Sequence, residues 1–220
     1  MKIYCIGDSH AHFFGGKSRL RNWQKERRYP RWCINRIPIF EALIVGDATA
    51  YNLHKTGSTS QGREKLLAAV EGLPKGSKIM LVFGEIDCRV HLLKQAKLQN
   101  RPIEDVVSEC VGWYISVFLE LKNRGFEMIV WAVTPTALFE GAKEFTIYGT
   151  WEDRLYVTRL FNKYLKEMAE HSGIKFLSIF EELLNEDGLP NPDNYSDGIH
   201  LNQYAMPIVL AKVKEIYERG

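Results

Sequence analysis

Short apolar runs alternate with longer amphipathic stretches along all 220 residues of the chain. Residues 2–6, 39–45, 78–83, 126–133 and 174–179 read as five strands, and 49–53 is apolar enough to contribute to the second. The run Lys-Ile-Met-Leu-Val-Phe at 78–83 lacks the polar alternation of a half-exposed strand, as expected of a parallel strand buried on both faces. Helical periodicity fills the intervals at 62–71, 103–123, 152–171 and 202–219. Pro102 suits a first helical turn, and Gly125 and Gly173 suit helix stops. Strand–helix alternation predicts a parallel sheet covered on both faces, and right-handed crossovers make it a doubly wound layer structure.

Ligands of such sheets bind beyond the carboxyl ends of the strands. Ser9 follows the first strand, the 84–87 segment the third, and Thr134-Pro135 the fourth, while the 197–200 segment precedes the last helix. All four therefore fall on one predicted edge. Two of them carry chemistry: Ile6-Gly7-Asp8-Ser9-His10 and Asp197-Gly198-Ile199-His200. A serine is a weak nucleophile at neutral pH until an adjacent base takes its proton, and that base works best when a third group fixes its tautomer. The chain order Ser, Asp, His points to acyl chemistry.

Composition narrows the rest. The length fits one domain over residues 1–220 with a full hydrophobic core. A formal net charge of +2 gives no reason to expect nucleic acid. No apolar stretch approaches the roughly 20 residues of a membrane span, so no membrane partner is expected. The N-terminus shows no signal peptide, and Cys5, Cys33, Cys88 and Cys110 form no Cys-x-x-Cys, which favours buried thiols and a cytoplasmic location. No clustered metal ligands are evident, and no cofactor is expected. Residues 17–36 carry eight Lys or Arg against Glu26 alone, interleaved with Trp23, Tyr29 and Trp32. The segment reads as a solvated, partly helical excursion, with a substrate-contacting rim as the alternative.

The Gly-Asp-Ser-His turn and the late Asp-Gly-Ile-His together resemble the SGNH (GDSL-like) hydrolase superfamily. That resemblance implies a three-layer α/β/α, flavodoxin-like fold with a five-stranded parallel sheet and a serine esterase or acyltransferase site. It implies Ser9 as nucleophile, His200 as base, Asp197 as orienter and the Ser9 N–H as one oxyanion donor. A second donor in the family is a glycine after the second strand, for which Gly57 is the candidate and His54 the alternative register. The third is an asparagine in a Gly-x-Asn-Asp block. Here the block is Gly84-Glu85-Ile86-Asp87-Cys88-Arg89, with isoleucine at the asparagine position. Arg89, His91 and His10 are the donors nearby; Arg89 is favoured as substitute donor or substrate clamp, against a salt bridge with Glu85 or Asp87. Asp8, His10, Glu85, Asp87 and Arg89 form the candidate substrate-binding set, and Phe139, Phe145 and Tyr148 a candidate lining loop.

The expected substrate is a small-molecule or glycan acyl ester, acetyl on a carbohydrate by resemblance. Transfer to a glycan hydroxyl uses the same acyl-enzyme and stays open. So does a glycan- or partner-binding domain that turns nothing over. Asp8-x-His10 also opens a metallophosphoesterase pattern, but Gly46-Asp47-Ala48-Thr49-Ala50 lacks the second aspartate and no Gly-Asn-His follows.

Overall fold

Six strands form one sheet: β1 (Ile3–Gly7), β2 (Arg31–Trp32), β3 (Phe40–Ile44), β4 (Lys78–Val82), β5 (Glu127–Trp131) and β6 (Lys175–Leu177). The structure is a computed structural model, and it describes residues 1–16, 30–33, 35–136 and 145–218. The strand order is β2-β3-β1-β4-β5-β6. All pairings are parallel except β2 with β3. The five expected strands are thus joined by a sixth. Two residues carry no readable periodicity, but Arg31 and Trp32 align with Ile44 and Leu43, and Trp32 sets its ring edge-on to Tyr4 at 6.0 Å. Apart from residues 30–33, 35 and 36, the basic segment lies outside the described residues.

Successive side chains of a strand point to opposite faces, and this chain is apolar on both. Ile3, Cys5, Met80, Val82, Ile129 and Trp131 face one side, where they meet Val209 and Val213 of helix 206–218 and Phe13 and Phe14 of the turn after β1. Ile6, Leu43, Ile79, Leu81 and Val130, one residue out of phase, face the other. There they meet α1 (Gly62–Glu71), α3 (Ile103–Asn123) and α4 (Trp151–His171). Two helices differ from expectation. A turn at Asp87–His91 leads into an unforeseen α2 (Leu92–Gln99), whose 8 residues are too few to establish a helical period, and the last predicted helix divides into a turn at Gln203–Ala205 and α5 (Met206–Glu218). Residues 50–52 form a 3-10 turn rather than strand. Among the described residues no helix is long and apolar enough to cross a membrane.

The chain leaves β1 towards β3 and returns across β1 to β4. At such a reversal the loops diverge and leave a crevice beyond the strand ends. Here the crevice opens between β1 and β4.

Candidate active site

Ser9 stands in that crevice because β1 ends in a glycine. A Cβ on Gly7 would overlap the carbonyl oxygen of Val82, so β1 and β4 close together only with glycine here. The chain then turns into a 3-10 segment, Ser9–Gly15, capped by Asp8. The Asp8 Oδ1 accepts the His10 N–H at 2.8 Å and its carbonyl accepts the Ala11 N–H at 3.2 Å. The Ser9 N–H, first in the turn, has no acceptor within it.

The partner arrives from the other end of the chain already shaped. Asp197 Oδ1 accepts the N–H groups of Ile199 and His200 at 3.1 and 2.9 Å, and Gly198 takes φ +82° in that tight turn. Tyr195 Oη ties the turn to the carbonyl of Pro135, beyond β5, at 2.6 Å. Asp197 Oδ2 lies 2.8 Å from His200 Nδ1, and His200 Nε2 lies 2.8 Å from Ser9 Oγ. Burial pushes the Asp197 carboxyl up, but the His200 hydrogen bond and charge and two backbone N–H groups outweigh it and hold the pKa at about 2.

Asp8, Ser9, His10, Glu85 and His200 line one pocket, with Phe13, Phe14, Val82, Trp131 and Val133 as its apolar wall. Sequence reading missed this wall, although Phe13 and Phe14 belong to the turn that Ser9 opens. Glu85 is 4 % exposed and stands 3.1 Å from His10 Nε2 and 2.6 Å from Arg89 Nε. Burial raises its carboxyl, yet Arg89 and His10 together bring it down to about 2. Asp8 is 0 % exposed, its Oδ2 has no partner among the described residues, and burial pushes its pKa well above its ordinary value.

Three expected site residues are engaged by other partners. Gly57 lies on an exposed turn outside that pocket, where its N–H donates to Glu64 Oε1 at 2.7 Å instead of facing Ser9. The Asp87 carboxylate accepts the N–H groups of Ala50 and Tyr51 at 2.7 and 3.2 Å, which pins the turn after β3 rather than a substrate. Burial raises that carboxyl to about 6. The Arg89 guanidinium is taken up by Glu85 and the Thr146 carbonyl, the salt bridge rather than the clamp. His54 stacks on Trp113 at 4.7 Å, and His91 is exposed beside α2. Of the loop aromatics, Phe145 meets the His200 ring edge-on at 5.7 Å, whereas Phe139 lies outside the described residues. Among the described residues no group of three His, Cys, Asp or Glu is placed to hold a metal ion.

No protein-family model matches the chain, and no curated protein matches its sequence. Its fold is that of the GDSL-like lipases and esterases. It superposes on a member of the lipolytic G-D-S-L family from Veillonella parvula with TM-score 0.57 at 18% identity, covering 100% of both chains. A carbohydrate acetylesterase from Sinorhizobium meliloti gives TM-score 0.57 at 16% identity over 100% of this chain and 99% of that one. An acetyl xylan esterase gives 0.53 at 14% identity over 98% and 99%.

Proposed function

We propose that the protein is a serine hydrolase that removes a small acyl group, acetyl, from a carbohydrate hydroxyl. The observation that carries this reading is the unbroken line of contacts from Ser9 Oγ through His200 to Asp197, 2.8 Å at each step. The likeness of fold to a carbohydrate acetylesterase and an acetyl xylan esterase supports the substrate class.

In this mechanism Ser9 Oγ attacks the ester carbonyl as His200 Nε2 takes its proton. Asp197, ionised throughout, holds the Nδ1–H and stabilises the imidazolium. The oxyanion meets the Ser9 N–H and, in place of Gly57, the Gly46 N–H. Gly7 and Ile44 are register partners, and Ser9 and Gly46 each stand two residues beyond them. Gly46 is buried at φ +100°, a conformation that glycine adopts without strain. The Ile86 side chain offers no donor. His200 passes its proton to the departing alcohol, leaving acyl-Ser9. It then deprotonates water, whose attack releases the acid and restores Ser9. The apolar wall of Phe13, Phe14 and Trp131 receives the acyl methyl.

Intact-mass analysis with a fluorophosphonate tests the reading. One adduct on the wild type and none on Ser9→Ala is expected, followed by acetate release from acetylated sugars. Absence of an adduct on the wild type overturns it. Ile86 favours one other reading, a glycan-binding domain without turnover. Binding of an acetylated sugar with no adduct would select that one.

A further inference from the structure

We infer that the Glu85–Arg89 ion pair is the positioning device for the general base: it anchors two rings, His10 and Phe145, that pack on the His200 imidazole. This inference rests on the role proposed for His200. The two arms are continuous. On one, Glu85 Oε2 holds His10 Nε2 at 3.1 Å, and the His10 ring lies 4.6 Å from that of His200 at an interplanar angle of 30°. On the other, the Arg89 guanidinium sits 5.8 Å from the Phe145 ring centre and donates to the Thr146 carbonyl, and the Arg89 carbonyl accepts the Tyr148 N–H at 3.1 Å. Phe145 in turn meets His200 at 5.7 Å. Glu85 Oε1 joins the arms through Arg89 Nε at 2.6 Å.

The charges of this pair are nearly out of water, with side-chain exposures of 5% for Glu85 and 10% for Arg89. Burying such a pair yields little net stability over apolar residues of the same volume, so stability is a poor reason for it. Direction is a better one. An ionised carboxylate only accepts, so it fixes which His10 nitrogen carries a proton and the plane in which the ring lies. A fixed His10 restricts the rotamers open to His200, whose proton transfers need its Nε2 within hydrogen-bond reach of Ser9. Arg89 does the same for the backbone that carries Phe145. Two segments 75 residues apart, Gly-Asp-Ser-His and Gly-Glu-Ile-Asp-Cys-Arg, thereby act as one unit. His10, Glu85, Arg89 and Phe145 are positioning residues, and none of them needs to touch the substrate.

The test compares the wild type, the double variant Glu85→Gln/Arg89→Met, and His10→Phe as full-length chains. Removing both charges together avoids stranding one of them. Three quantities are read: the limiting rate and half-saturation of fluorophosphonate labelling, and the imidazole 15N–1H signals of His200. The double variant should lose about 10²-fold in limiting rate, the scale of a small misplacement of a reacting group, with half-saturation unchanged. His10→Phe, which keeps a ring but loses the anchor, should lose about tenfold. In both, the His200 signals should broaden or split. A folded double variant that labels within about twofold of the wild type overturns the inference, as does slower labelling with His200 signals unchanged. If the double variant fails to fold, His10→Phe decides by the same criteria. If the wild type takes no adduct, the hydrolase reading fails, while unchanged His200 signals in the variants would still refute the positioning role separately.

Discussion

The turns after β1 and β4 end neighbouring strands, and each buries a carboxylate at the same crevice, yet Asp8 and Glu85 shift in opposite directions. Burial dominates at Asp8: the His10 N–H and the His200 charge pull the other way, but Oδ2 has no partner among the described residues and the pKa stays well above its ordinary value. At Glu85 the same burial is outweighed by Arg89 and His10, and the pKa falls to about 2. Depth therefore does not set the charge of a buried acid; the cations within reach do. The two turns divide the labour accordingly. The first presents Ser9, and the second pairs its charges and supplies a frame.

The largest effects should separate these roles. Ser9→Ala or His200→Ala is expected to lower turnover by about 10⁶-fold while leaving urea unfolding almost unchanged, and Asp197→Ala by about 10⁴-fold. Steady-state assays beside denaturation curves check both. Arg89→Met should do the reverse in kind. Stranding Glu85 in the interior is expected to cost about 3–5 kcal/mol of stability in urea unfolding, most of it recovered when Glu85→Gln is added. If Arg89→Met unfolds like the wild type, the second turn is not a frame.

Ile86→Asn sharpens the comparison from the other side, since it asks the frame to join the chemistry. A donor in place is worth about 10²–10³ in rate, and a side chain not evolved for this position should recover about a tenth of that in labelling rate. No gain would mean that Ser9 and Gly46 complete the hole.

The smallest effect concerns pH. A carboxyl whose folded pKa is raised, as at Asp8, contributes stability that is complete below its unfolded value and is lost as pH rises through the folded one. Asp8→Asn keeps the cap and removes the titration. Its melting temperature relative to the wild type should therefore climb as pH rises. Glu85 has the opposite sign: its contribution is complete above its ordinary value of 4.5 and is lost as pH falls towards about 2. The melting temperature of the wild type relative to Glu85→Gln/Arg89→Met should fall as pH drops over that interval. Parallel curves in both experiments would erase the distinction between the two acids.

Five strands and the order of the chemistry were legible in the residues because each signal is local. Apolar runs mark strands buried on both faces, and Asp197 reaches His200 within one short turn whose backbone bonds it supplies itself. β2 was illegible because two residues have no period, and α2 because its 8 residues are too few to establish one. Gly57 and Gly46 both follow the second expected strand and both take positive φ. Sequence offers no reason to prefer one, whereas pairing of Ile44 with Gly7 brings the chain before Gly46 beside the chain before Ser9, and Glu64 occupies the Gly57 N–H.

The sequence alone therefore determined a doubly wound sheet, the edge on which its chemistry gathers and an Asp-x-x-His turn that can orient its own imidazole. Tertiary structure decided that Ser9 meets His200 across 191 residues, that Glu85 pairs with Arg89 and His10, and that Phe145 packs against the His200 ring. Periodicity and short turns are written in neighbouring residues. A carboxylate's charge and a ring's orientation depend on groups that only strand register and loop packing bring within a few ångströms.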